Sequence, residues 1–347
     1  MKTENILFLL IFILFSSFIL ATIDDTCVTY DENPYFNNLL RLADDELSFQ
    51  ERFSQFKPPS HGTFMFLFAF PFYLFTKSFL DITTALRIGT SFLYLFFIIL
   101  FYFFIRREYG ILSALAGSIV LMGMPRVFFH SHLLALDLPV MVLYSIAAVS
   151  FFKALHTGKP LWIFLSGFSL AALLATKITG YVLFAPLILY FIYSKVKKVS
   201  MPSMSIKNFN VPSVLAVFIT AALLFLLISP PLYKDPLSII EYLTFHGSRA
   251  QEFKLFGDYH SQWSLATLAY VPFTLLTTIN SLSVLLALLG LFFLLKNKEK
   301  KPITTYLLLV FCVTVIIFSS PFAYKGDAER NFLMLYPFMA FFAGIGT

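Results

Sequence analysis

Charge is what this sequence lacks. Asp, Glu, Lys and Arg make up 13% of its 347 residues, where soluble domains usually carry about 25%. Hydrophobic residues make up 59% and the mean hydropathy is +0.81, a balance that excludes an ordinary water-soluble domain. Cysteine is scarce as well. Cys27 and Cys312 give no disulfide framework and no metal-ligand run, and Cys312 falls mid-helix, at a lipid-facing or core position. Also missing are a glycine-rich phosphate loop, a P-loop lysine, a nucleophile elbow and zinc-ligand spacing, which His246 and His260 do not supply. Those absences argue against a nucleotide-driven reaction. No internal repeat is visible. The net charge of +6 does not imply nucleic acid, because the basic residues are scattered in short loops, as membrane topology requires.

What is there is apolar and periodic. Repeated runs of roughly 15 to 25 apolar residues predict an all-α, polytopic integral membrane protein. About 10–11 membrane helices would form a single domain over residues 1–347. The 45 Phe suit lipid-facing helix surfaces. Residues 5–22 form the first helix. Lys2 and Ala21 are placed as in a signal peptide, but a run of about 18 residues is long for one, so an uncleaved membrane helix is expected. Residues 23–61 form a long polar outer loop carrying Asp24, Asp25, Asp31, Glu32, Asp44, Asp45, Glu46 and Glu51, with a short amphipathic helix expected over 37–42. Residues 230–263 form a second long outer loop, suited to capping a site. The last apolar run reaches Thr347 with no polar tail after it, the pattern of a C-terminally short sequence.

Sidedness follows from charge. The stretch 63–79 is short and interrupted by Pro71. If it spans, every later basic loop falls outside. If it lies in the interface or re-enters, the inner loops hold Lys2, Arg106, Arg107, Lys153, Lys159, the lysines from Lys195 to Lys207 and those from Lys296 to Lys301, with only Glu4, Glu108 and Glu299 beside them. The positive-inside rule favours this second reading. It takes 265–295 as one span. It also puts Asp31, Asp137, Lys177 and Arg330 on one side of the membrane, the outer one.

Each of these residues has a bland reading and a sharp one. Asp137, between two apolar runs, is either a loop acid in water or a second acid facing Asp31 and Glu32. Lys177, on the side where positive charge is disfavoured, either snorkels to headgroups or forms an anion site. Arg330 either pairs with Glu329 or forks onto a phosphate.

Taken in order, these segments resemble the polyprenyl-phosphate-sugar-dependent membrane glycosyltransferases of the GT-C fold, in particular the protein O-mannosyltransferase and aminoarabinose transferase group. Asp31-Glu32 after the first helix resembles the family's Asp-Glu pair. Lys57-Pro58-Pro59 resembles its His/Lys-Pro-Pro segment, His130 to Pro139 its second acidic loop, and Arg330 to Pro337 its Arg-aromatic-Leu…Pro helix opening. Lys177 in Thr-Lys-x-x-Gly is a further match. The sequence departs from the pattern in carrying Lys at position 57, only Trp263 and a distant Tyr270 in place of a Trp-Tyr-Tyr cluster, and no C-terminal extramembrane part.

The resemblance implies a GT-C-like helical bundle that moves a sugar, hexose or pentose and mannose-like, from polyprenyl phosphate to a hydroxyl on a protein, lipid or glycan acceptor, with inversion. It implies Asp31 as general base, with Glu32 and Asp137 beside it as catalytic carboxylates, and Lys177 and Arg330 on the donor phosphate. Lys57, His61, His132 and Tyr259 are the candidates for positioning donor and acceptor. No protein cofactor and no metal ligand is implied; metal dependence stays open. The site would face outward from a prokaryotic plasma membrane, or into the lumen in a eukaryotic endoplasmic reticulum. A transporter or lipid-sugar flippase is the competing class. It would show inverted repeats and charges at mid-membrane depth.

Overall fold

A bilayer offers no water to the backbone, so an apolar chain satisfies its amides within helices. The computed structural model describes residues 3–53, 62–196, 211–230, 237, 240, 252–255, 258–297, 301–323, 325 and 328–347, and it is helical through most of them. The helices are α1 (Thr3–Thr22), α2 (Glu32–Leu42), α3 (Phe49–Phe53), α4 (Phe64–Thr76), α5 (Ile82–Tyr109), α6 (Ile111–Met122), α7 (Pro125–His130), α8 (Asp137–Thr157), α9 (Pro160–Leu174), α10 (Phe184–Val196), α11 (Val211–Leu227), α12 (Ala266–Thr278), α13 (Ser281–Lys296), α14 (Pro302–Phe318) and α15 (Tyr336–Ile345). Tight 3₁₀ turns at Ile178–Leu183 and Ala328–Leu335 precede α10 and α15. Among the described residues the only strands are β1 (Glu252–Leu255) and β2 (Asp258–Ser261), an antiparallel hairpin in the second loop that the all-α expectation did not include.

Local chemistry sets the boundaries. Asp81 caps α5 by accepting from Thr84 N at 2.9 Å, and Asn280 caps α13 by accepting from Ser283 N at 2.9 Å. Pro125, Pro160 and Pro302 stand at helix starts, where a missing N–H costs nothing. Gly158 ends α8 in a left-handed conformation (φ 62°). Helix α8 is buried along most of its length and packs on α5, α9 and α11.

Among the described residues, three stretches are long and apolar enough to cross a bilayer singly: Asn5–Thr22, Ile82–Tyr109 and Asp137–Thr157. The remaining apolar helices are shorter and complete the bundle around them. The expected single span over 265–295 is in fact α12 and α13, bent by 120° at the Ile279–Asn280 break. Asn280 also donates from Nδ2 to Gly123 O at 3.3 Å, tying the bend to the end of α6. The expected helix over 37–42 is longer, beginning at Glu32, and it buries Glu32, Tyr35, Leu39 and Leu42.

The bundle has two chemically distinct ends. At one, Arg87 of α5 donates to the carbonyls of Ile23 and Thr26 just after α1. At the other, Lys153 at the end of α8 pairs with Glu108 at the end of α5 at 2.6 Å, and Lys301 donates to the Glu108 carbonyl. The end of α1 and the start of α5 therefore share one end, so the chain between them crosses an even number of times. Helix α4, at 13 residues or ~20 Å, is too short for a hydrocarbon core of about 30 Å. Its start is pinned to the end of α9: Gly62 N donates to Thr176 O at 3.0 Å and Phe64 N to Ala175 O at 2.9 Å. A side chain at Gly62 would collide with the Ala175 backbone, so glycine is required for this close approach.

Candidate active site

At the Arg87 end, four residues far apart in sequence form one chain of ion pairs. Asp31 precedes α2, Asp137 opens α8, Lys177 follows α9, and Arg330 lies in the 3₁₀ turn before α15. Lys177 Nζ donates to Asp137 Oδ1 at 2.7 Å; Arg330 Nε donates to Asp137 Oδ2 at 3.1 Å; Arg330 Nη1 donates to Asp31 Oδ2. Asp137 is buried, with each oxygen held by a cation, and is not a loop acid in water. Lys177 is buried too and does not snorkel. Asp31 is the most open member, its side chain 37% exposed. Its Oδ1 takes no hydrogen bond among the described residues. Two cations and two carboxylates leave the chain neutral, which limits the cost of desolvating it.

The two adjacent carboxylates part company. Asp31 turns to Arg330, whereas Glu32 is fully buried against Arg87. Glu32 Oε1 accepts from Arg87 Nε (2.8 Å) and Leu134 N (3.0 Å); Oε2 accepts from Arg87 Nη2 (2.8 Å) and Thr29 N (2.9 Å). A carboxylate has about four acceptor sites, so Glu32 has no capacity left for substrate. It locks three segments together: the turn after α1, α5, and the loop before α8. Arg87 was not among the sequence candidates, although a lone arginine inside an apolar run is a signal of function or of a buried partner.

Two further groups complete the cluster. His130, the last residue of α7, is 3% exposed, and its Nδ1 has no partner among the described residues. Burial pushes its imidazole down to about 4; Asp137 pulls the other way, and Arg330 and Lys177 add to the depression. His130 is therefore neutral at pH 7. Asn331 accepts from Lys177 Nζ at 3.3 Å, while its Nδ2 is buried and has no partner among the described residues. A buried orphan donor or acceptor costs roughly 1–3 kcal/mol, so a polar ligand that reached both groups would bind to sites already desolvated.

The other sequence candidates lie elsewhere. His132 is buried, bonded to Phe128 O (2.8 Å) and Thr22 Oγ1 (2.9 Å), with its ring tilted against that of Phe128; it ties α7 to α1 and is not brought into the ion-pair chain. Tyr259 is exposed on β2, opposite Lys254 in the hairpin register. Lys57 and His61 lie outside the described residues, as does His246. His260 contacts the Leu255 carbonyl. No group of three or more His, Cys, Asp or Glu able to hold a metal occurs among the described residues. Cys27 and Cys312 are free and exposed.

Comparisons with known proteins agree with this architecture. Residues 61–207 match a family model described as dolichyl-phosphate-mannose-protein mannosyltransferase. The fold is similar to the crystal structure of ArnT from Cupriavidus metallidurans in the apo state, with a TM-score of 0.71 at 12% identity over 99% of this chain and 60% of that one. It is also similar to the structure of the same protein bound to undecaprenyl phosphate, with a TM-score of 0.68 at 12% identity over 98% and 60% of the two chains. No curated protein matches in sequence. The chain thus has the GT-C helical membrane fold and spans 60% of the length of the solved structures it matches.

Proposed function

We propose that this chain carries the active site of a membrane glycosyltransferase that takes a sugar from a polyprenyl-phosphate donor and passes it to a hydroxyl acceptor. The observation that carries this reading is the Asp31–Arg330–Asp137–Lys177 chain, which sets an accessible carboxylate beside two cations at one end of an apolar bundle. The match to the mannosyltransferase family model supports the reaction class, and the undecaprenyl phosphate held by the similar ArnT structure supports the donor class.

The chemistry divides among the residues. The acceptor oxygen attacks the anomeric carbon, forming the new glycosidic bond. The bond from that carbon to the phosphate oxygen breaks, and its electron pair leaves with polyprenyl phosphate. Asp31, open and with one free oxygen, takes the hydroxyl proton. Such positioned proton transfer is typically worth roughly 10²–10⁴-fold. Arg330 and Lys177 neutralise the leaving phosphate. Asp137 holds both cations in place, which assigns it a positioning role and not contact with the sugar. His130 Nδ1 and Asn331 Nδ2 meet polar atoms of the substrate. A single displacement of this kind inverts the anomeric centre. The Asp31 end faces outward, because Arg106, Arg107, Lys153, Lys159, Lys296 and Lys301 lie at the opposite end or on the loops leading to it.

The decisive experiment follows transfer of labelled sugar from polyprenyl-phosphate mannose and polyprenyl-phosphate aminoarabinose into the protein and lipid fractions of membranes containing the chain. Asp31→Asn is expected to lower transfer by roughly 10²–10⁴-fold with unchanged thermal stability. Undiminished transfer by that variant would remove Asp31 as the base.

A further inference from the structure

At the far end of the bundle from Asp31 lies a cavity of about 480 Å³ between α5, α8, α9 and α15. It shares no side chain with the ion-pair chain. Its walls are apolar, with Phe97, Ile146, Val149, Phe168 and Phe341 among them. The serines that line it are already satisfied by their own helices: Ser145 Oγ donates to Met141 O (2.9 Å), Ser150 Oγ to Ile146 O (2.6 Å) and Ser169 Oγ to Leu165 O (2.6 Å). The walls therefore offer nothing to a polar ligand or to water, and a hydrocarbon chain is the occupant that loses nothing there.

The mouth is different. Arg107, Lys153 and Glu108 line the same cavity. Lys153 spends one of its three N–H groups on Glu108, and Arg107 has no partner among the described residues. Two cations against one carboxylate leave a net positive mouth. Trp162, also on the lining, stands in the first turn of α9, the depth at which membrane proteins place interfacial aromatics. On α5 the lining runs from Phe96 to Glu108, or ~18 Å at the helical rise; half of a hydrocarbon core is about 15 Å. A groove one leaflet deep, greasy along its length and basic at its interfacial end, has the dimensions and charge of a phospholipid. Basic pockets between membrane helices on the cytoplasmic side are known to hold anionic headgroups.

We infer that this groove is a binding site for an anionic phospholipid of the leaflet at the Glu108 end. One acyl chain lies between α5, α8 and α9, and the phosphate meets Arg107 and the free N–H groups of Lys153.

The test uses the purified chain in detergent, titrated separately with phosphatidylglycerol, phosphatidylcholine and polyprenyl phosphate, with thermal midpoint and native mass spectrometry as readouts. Phosphatidylglycerol is expected to raise the midpoint and to remain bound at one molecule per chain, with phosphatidylcholine weaker. Arg107→Gln should weaken phosphatidylglycerol about fivefold while leaving phosphatidylcholine unchanged. Ile146→Trp, and separately Val149→Trp, should fill the groove and abolish retention of both lipids. Equal binding of the two headgroups, retention in both tryptophan variants, or displacement of phosphatidylglycerol by polyprenyl phosphate at equal concentration would each overturn the assignment. The last result would place the donor lipid, not a bilayer lipid, in the groove. Transfer activity is a separate readout, so loss of the Asp31 mechanism leaves this site standing, and the reverse.

Discussion

Burial separates the two carboxylates of the Asp31-Glu32 pair more sharply than their adjacency suggests. Glu32 is at 0% exposure with four hydrogen bonds, and Arg87 is at 0% with its guanidinium shared among Glu32 and the carbonyls after α1. Glu32→Gln leaves Arg87 charged and uncompensated in a dry site. Breaking a buried pair in this way costs about 3–5 kcal/mol, so a marked fall in thermal midpoint in detergent is expected, with activity lost alongside it. Asp31→Asn should show the opposite split, activity lost and midpoint kept, because Asp31 is half open and holds only Arg330. His130 gives a pH signature. Its folded-state value is about 4 against an ordinary 6.5, so between those values the unfolded chain binds a proton that the folded chain does not. Stability contributed by neutral His130 is then complete above pH 6.5 and is lost as pH falls toward 4. At pH 5 the loss is about 2 kcal/mol. His130→Gln should flatten the drop in thermal midpoint between pH 7 and pH 5; an unchanged slope would show that His130 does not titrate this way.

At the scale of elements, glycine marks where helices touch. A side chain on Gly290 of α13 would run into the Phe342 carbonyl of α15, whereas Leu288 on the same helix is exposed at 51%. Gly290→Leu is expected to destabilise the protein by about 1–3 kcal/mol through overpacking, read as a lower thermal midpoint, with Leu288→Ala near neutral; equal effects would mean that α13 and α15 do not pack here. Elements also explain what the sequence disclosed of the site. Asp31, Asp137, Lys177 and Arg330 were legible because each is a charge standing at the edge of an apolar run, where an unpaired charge is costly. His130 was harder to choose over His132. Both are buried, and nothing in the string says that His130 stands beside Asp137 while His132 turns to Thr22 and Phe128. Tyr259 was named from its place in a long loop, and loop position carries no depth. Asn280 breaks what reads as one continuous apolar run at 265–295. Its capping role depends on a 120° bend that composition does not encode.

Across the whole molecule, topology rests on two independent lines. Charge counting places 63–79 on one side without crossing, and the contact of Arg87 with the Ile23 and Thr26 carbonyls requires the same even parity from geometry alone. The charge count uses loop residues; the contact uses none of them, so agreement between the two is not circular. If both hold, Lys77 at the end of α4 and Asp31 share a face, and Arg106 with Lys153 lies on the other. The test is thiol labelling in intact cells, on a background with Cys27→Ser and Cys312→Ser. Lys77→Cys should react with a membrane-impermeant maleimide from outside, and Arg106→Cys should react only after the membrane is opened. Labelling of both from outside would make α4 irrelevant to parity and place α5 wrongly. Protection of Lys77→Cys with labelling of Arg106→Cys would invert the protein. In that case the lipid-linked donor would have to be met on the face where soluble nucleotide sugars are available, and the lack of any nucleotide-binding motif would lose its explanation.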